Sequence, residues 1–287
     1  MRSLPVRLAL CAALTTGAVA TTGCASRPVV AAEKAAAALL LPPEQEAQLG
    51  QQLHGELQKE GLKFLEDAET KKYIDDLIRP ILATAKKDRA EVKWRIFVVD
   101  DPAVNAFATP GGYLYVQRGL IMAAQNESEL AGVLAHEAGH VTGRHGARNL
   151  VQQYGLQTVA AIALGENPNE LAKLGAQLAA TGAMLRHSRQ QEHEADEYGA
   201  RYSANSGYDP RGLIGFFQTL QKQSGDTPRA LTWLSTHPAH SERISHLQAF
   251  IKDQKLRTGQ TNPLGRLQQI QQRLATLPSA APAQPAK

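Results

Sequence analysis

Cysteine is almost missing from this chain: Cys11 and Cys24 are the only two in 287 residues, too few for a disulfide framework. A surplus of one charge is missing as well. Lys+Arg 31 against Asp+Glu 27 gives a net +4, which makes no electrostatic case for a nucleic-acid partner. A membrane-length apolar run is also absent. The longest candidate, from Leu8 to Ala20, falls short of the roughly 20 residues a span needs and is broken by Thr15, Thr16 and Gly17. What the chain does have is 43% hydrophobic composition, enough to bury one core, and it carries no internal repeat.

Arg2 and Arg7 precede the short apolar stretch, and small residues follow it up to Thr21-Thr22-Gly23-Cys24, the layout of an export signal over 1–23. Without Arg2 and Arg7 the 31 basic residues become 29 against 27 acidic, a net of +2. Gly23-Cys24 followed by Ala25 and Ser26 resembles a bacterial lipoprotein processing site, with Thr21 where such signals usually carry Leu. The expectation is a bacterial periplasmic protein tied to the outer membrane by lipid on Cys24, with a soluble periplasmic product as the alternative.

An Ala-rich tether over 24–43 ends in Pro42-Pro43, and the folded part is expected over 44–257, followed by a helical extension over 258–277 and a Pro/Ala-rich disordered tail over 278–287. Leu49, Leu53 and Leu57 recur at helical spacing, as do Tyr73, Leu77, Ile78, Ile81 and Leu82. Three extended runs follow, over 94–101, 105–109 and 113–117, and predict a small, largely antiparallel three-stranded sheet. Helices are expected over 127–145, 147–163, 169–185, 189–206, 210–223 and 241–255. The Ala/Gly-rich stretch 159–184 is interrupted by Glu166, Asn167, Pro168, Asn169, Glu170 and Lys173, so it reads as a packed helical pair or lid. The fold class is therefore α+β, mainly helical.

The strongest chemical signal is His136-Glu137-Ala138-Gly139-His140 inside a helical pattern that Asn126 or Ser128 can cap. Histidines four apart share a helix face, so both rings can reach one metal ion while Glu137 is directed at its open coordination position and accepts a proton there. Two buried structural histidines are the bland alternative. A third ligand is still required. Six residues after His140 stands Gly146, which cannot coordinate, and His145, one residue short, reads as a polar helix-end residue. Glu192 and Asp196 in Gln191-Glu192-His193-Glu194-Ala195-Asp196 share a face, so Glu192 can bind metal while Asp196 holds a ligand histidine. Glu194 is directed to the opposite face, His193 is a rival ligand, and a solvated acidic face is the bland reading of the cluster.

Together, H-E-A-G-H and E-H-E-A-D resemble the zinc metallopeptidase family of the CAAX prenyl protease and the mitochondrial Oma-type proteases, whose second motif reads E-x-x-A-D. The runs at 105–112, 115–120 and 235–238 resemble its bacterial periplasmic branch, in particular the small lipoprotein members. The resemblance covers roughly residues 44 to 250. It implies a zincin-like domain, one Zn2+ held by His136, His140 and Glu192, catalysis by Glu137, support from Asp196, and a role in envelope protein quality control. It also favours a place close to zinc for His237, as oxyanion stabiliser or as a plug on the open metal position, against a plain turn residue before Pro238. Arg243 matches a family arginine that orients substrate or pairs with acidic site groups, a surface salt bridge being the other option. Asn105 and the strand at 113–117 are expected beside the cleft, where an exposed edge could pair with substrate.

The leading expectation is a zinc endopeptidase acting on misfolded or misassembled envelope proteins. The alternatives are a chaperone-like assembly factor with a latent protease site, or a structural zinc lipoprotein whose fourth ligand is His237.

Overall fold

The computed structural model describes residues 37, 41–163, 173–178, 187–223, 231–238 and 241–278. The segments expected as an export signal and a tether, apart from residues 37 and 41–43, most of the helix expected over 169–185 and the expected disordered tail beyond 278 lie outside the described residues. No described helix is long and apolar enough to cross a membrane.

Helix α1 (Pro43–Lys59) opens on a proline whose missing N–H costs nothing in a first turn, with Glu44 and Glu46 beside it. Its Leu49 and Leu53 pack with Ala37, Leu41, Ala147 and Leu150, so the folded part reaches back before residue 44. Helix α2 (Ala68–Ala85) is capped by Asp67, whose Oδ2 accepts from the Thr70 N–H at 2.9 Å. Its stripe of Tyr73, Ile74, Leu77, Ile78 and Ile81 enters the main core.

The sheet comprises β1 (Arg95–Val99), β2 (Ala106–Thr109) and β3 (Tyr113–Gln117), in the order β1-β3-β2. It is mixed, not largely antiparallel. The Pro110–Gly112 turn reverses the chain between β2 and β3, which pair antiparallel, whereas β1 lies parallel to β3 in the register Arg95 to Tyr113. Phe107 and Tyr115 stack at 4.5 Å between centroids within a buried aromatic cluster on the sheet.

Helices α3 (Arg118–Ala123) and α4 (Glu127–Thr142) follow. Asn126 caps α4 by accepting from the Glu129 N–H at 3.0 Å, and every residue of α4 is buried. This helix is the axle of the fold, packed against α2, β2, α6 (Arg189–Asn205) and α7 (Gly212–Gln223). The helix expected over 127–145 stops at Thr142, because Arg144 adopts a positive φ of 55°. A new helical segment, α5 (His145–Ala163), starts immediately after and is broken by a kink at Gly155, where φ is 76° and ψ 162°. Last come α8 (Leu231–Thr236), α9 (Ser241–Asp253) and α10 (Leu267–Thr276). Leu267, Ile270 and Leu274 of α10 join the main core, and the Glu127 carboxylate accepts from the N–H groups of Leu264, Gly265 and Arg266. The C-terminal segment is thus stitched to the first turn of α4.

Candidate active site

The site exists because α4 and α6 touch through their backbones. A Cβ on Gly139 would stand 2.8 Å from the Ala195 carbonyl oxygen, so only glycine lets the helices come this close. The crossing turns His136 and His140 of α4 toward Glu192 in the first turn of α6. Ser188 and Gln191 fix that turn by a reciprocal cap: Gln191 N–H donates to Ser188 Oγ at 3.2 Å, and Ser188 N–H donates to Gln191 Oε1 at 2.8 Å. The positive end of α6 thereby faces an anionic carboxylate.

Four side chains converge: His136, His140, Glu192 and His237 each offer a donor atom, all within 4.8 Å of one another and all buried. The two Nε2 atoms of His136 and His140 stand 2.9 Å apart, and Glu192 lies 3.6 Å from the first and 3.5 Å from the second. Two imidazoles and a carboxylate are the donor set of catalytic zinc sites, so the residues present fit the ion that the resemblance implies. His237 Nδ1 comes within 3.3 Å of His136 Nε2 and 3.1 Å of Glu192 Oε1, while its Nε2 is 3.5 Å from Glu137 Oε1. Its ring stacks on Trp233, and the Trp233 indole N–H donates to Glu137 at 3.4 Å.

Around the donors stands a ring of supports. Asp196 Oδ1 lies 2.9 Å from His136 Nδ1, and Arg243 grips Asp196 with Nε and Nη2 while its Nη1 reaches Glu192 at 2.7 Å and the Pro238 carbonyl at 3.0 Å. Burial works against charge on His136, but Asp196 and Glu192 outweigh it and push its pKa up to about 9. His140 moves the other way, well below the usual range, through burial and then its imidazole neighbours. Burial would raise Glu192, but His237 and His136 hold it well down. Burial raises Glu137, with His237 and His136 opposing.

The structure brings His136, Glu137, His140, Glu192, Asp196 and His237 together. Every nitrogen of Arg243 is engaged by Asp196, Glu192 or Pro238, so it pairs with the acidic site groups and is not in a surface salt bridge. His193 is turned away from the donors and packs its ring on His246 at 4.4 Å. The strand at 113–117 has no exposed edge, since β3 pairs on both sides; β1 and β2 are the edge strands, the outer side of β1 being bridged to Phe64, and Asn105 is buried just before β2. The cleft that reaches His140 is lined by Ala108, Thr109 and Pro110.

Three participants lie outside what local sequence patterns identify. His145 does stand at a helix end, as expected, but it is buried against His140, Nδ1 to Nδ1 at 2.7 Å. His187 stacks on His140 at 3.8 Å, and Trp233 touches Glu137. Neither His187 nor Trp233 belongs to a spaced motif. His145 does follow His140 closely enough to have raised the question.

The family model of Peptidase family M48 matches residues 66–251. Mitochondrial metalloendopeptidase OMA1 of Schizosaccharomyces pombe is 28% identical over 185 residues, 64% of this chain and 54% of that protein. The beta-barrel assembly-enhancing protease of Yersinia pestis is 34% identical over 182 residues, 60% of this chain and 37% of that protein. The Escherichia coli protein of the same name is 30% identical over 201 residues, 67% of this chain and 39% of that protein. The chain thus spans about half or less of the length of these curated relatives.

Proposed function

This chain belongs to peptidase family M48, and from that premise we propose that it is a zinc-dependent endopeptidase that cuts misfolded or misassembled cell-envelope proteins. The observation that carries the reading is the position of Glu137: a buried carboxylate on the same helix as two convergent histidines, with a third donor, Glu192, opposite. A binding module has no use for a base at that place.

When bound, zinc supplies Lewis-acid polarisation of the scissile carbonyl and acidifies the attacking water. Glu137 takes the proton of that water and returns it to the leaving amine, steadied by the Trp233 indole N–H. Asp196, with Arg243 behind it, orients His136 so that Nε2 faces the ion. His237 reaches both Glu192 and Glu137 and so lies between a donor and the base, which supports the reading of it as a plug in the resting form. An extended client would add to the β2 edge, mostly through main-chain hydrogen bonds, a mode that selects unfolded chain over particular side chains.

The envelope assignment draws on the export signal ending at Cys24 and on relatives named for β-barrel assembly. On that reading the protein sits in the periplasm, lipid-anchored to the outer membrane. Radiolabelled palmitate should mark the wild type and not Cys24→Ala.

The position of His237 among the donors also supports a second reading, an assembly factor whose protease site stays latent. The primary test is metal analysis of the purified protein together with casein digestion, with and without chelator. One zinc per chain and chelator-sensitive cleavage are expected. A metal-free, inert protein would sink the proposal.

A further inference from the structure

The nitrogen each ligand histidine turns toward the donor cluster is Nε2, the two standing 2.9 Å apart. An imidazole that gives its Nε2 lone pair to a cation carries its proton on Nδ1, and that buried Nδ1–H needs an acceptor. For His136 the carboxylate on that side is Asp196, with Oδ1 2.9 Å from Nδ1 and Arg243 behind it. For His140, no carboxylate among the described residues occupies the equivalent place. Its Nδ1 faces Nδ1 of His145 at 2.7 Å. His145 turns its other nitrogen, Nε2, to Glu194 Oε2 at 3.2 Å, and Arg148 Nη1 donates to the same oxygen at 2.8 Å.

The protons of this chain fit in one way. Two N–H groups cannot face each other at 2.7 Å, so a proton on His140 Nδ1 requires a bare Nδ1 on His145. The His145 proton then sits on Nε2, where Glu194 accepts it. We infer that His145 is a positioning residue for the metal ligand His140: a neutral imidazole, locked in its Nε2–H form by the Glu194–Arg148 pair, that accepts the His140 Nδ1–H and so aims His140 Nε2 at the ion. The inference rests on the metal-site reading above. Each ligand histidine then has its own carboxylate and arginine, directly for His136 and through one intervening ring for His140.

The backbone is shaped for this placement. Arg144 adopts a positive φ of 55°, a region that L side chains rarely enter, and is held there by Glu46 at 3.1 Å and by the carbonyls of Ala37 and Leu41. The ring of His145 lies over Gly143, where an added Cβ would stand 2.3 Å from His145 Nε2. A left-handed residue ends many helices, so the feature particular to this turn is the close seat of the His145 ring on Gly143.

The test is zinc affinity of the full chain, measured by competition with a chromophoric chelator, alongside nitrogen-15 NMR of the histidine rings. His145→Phe keeps a ring and removes both nitrogens, and is expected to weaken zinc binding by about 10–100-fold. His145→Asn offers an amide oxygen near the position of Nδ1 and is expected to recover most of that loss. Gly143→Ala, which alters no member of the relay but displaces the ring, is expected to weaken binding as well. In the wild type, NMR should place the proton on Nδ1 of His140 and on Nε2 of His145. Wild-type affinity in His145→Phe, an Asn variant as weak as the Phe variant, or a His145 protonated on Nδ1 overturns the inference. If His145→Phe does not fold, wild-type affinity in Gly143→Ala overturns it equally. A wild-type protein that binds no zinc defeats the metal-site reading itself, which keeps the two failures apart.

Discussion

Arg243 holds Asp196 through two parallel contacts, Nε to Oδ2 at 2.9 Å and Nη2 to Oδ1 at 2.7 Å, with both side chains shut off from solvent. Arg243→Met would leave Asp196 and Glu192 as buried carboxylates without their cation. Breaking a buried pair from one side costs about 3–5 kcal/mol. Urea unfolding should register that loss, and Arg243→Lys should recover little of it because an ammonium cannot make the fork. A variant as stable as the wild type would mean that the carboxylates are neutralised some other way.

Glu137→Gln keeps the shape of the side chain and its indole contact but removes the base. Zinc content and unfolding free energy should stay at wild-type levels, while casein cleavage falls by about 10²–10⁴-fold. Full complementation of a gene deletion by this variant would favour the assembly-factor reading over the protease.

If His237 plugs the site, His237→Ala opens it. Turnover of a short peptide should then rise severalfold at saturating zinc, while affinity for zinc drops because one of the four convergent donors is gone. A severe loss of turnover would instead make His237 a catalytic group acting on the oxyanion.

Asp67 both caps α2 and pairs with Arg273 of α10. Hydrogen bonding from Arg273, with the Thr70 N–H and against the opposing effect of burial, holds its carboxyl well below the usual range. A depressed folded-state pKa stabilises fully above the unfolded value of about 3.9, and the contribution disappears as pH falls through the folded value. Asp67→Ala should therefore cost about 1–2 kcal/mol at neutral pH, mostly through the lost cap, since Arg273 is half exposed and its attraction is screened. The gap between variant and wild type in urea unfolding should start to narrow below about pH 4 and close only as pH falls through the much lower folded-state value, where the wild-type carboxyl itself takes up a proton. A gap that persists in acid would assign the effect to packing.

Much of the fold is legible in local periodicity. The stripe of Tyr73, Leu77, Ile78 and Ile81 and the two motif helices repeat at the helical period and find cores where that period places them. Helices α3 and α8, six residues each, are too short to show any period. The direction in which β1 meets β3 is a long-range choice that no strand carries in its own residues. The site divides in the same way. Spacing four apart fixes which face of α4 and α6 holds His136, His140, Glu192 and Asp196. The places of His145, His187 and Trp233 depend on how a turn and two distant segments pack, which spacing does not encode.

The two halves of the metal grip belong to helices joined only after a long detour of chain, and their meeting depends on the bare backbone at Gly139. A nascent or unfolded molecule, with α4 formed and α6 not yet against it, has a pair of imidazoles and nothing to complete them. On the protease reading, cutting power therefore requires the docking of the second helix, and a chain caught before that step is harmless to its surroundings.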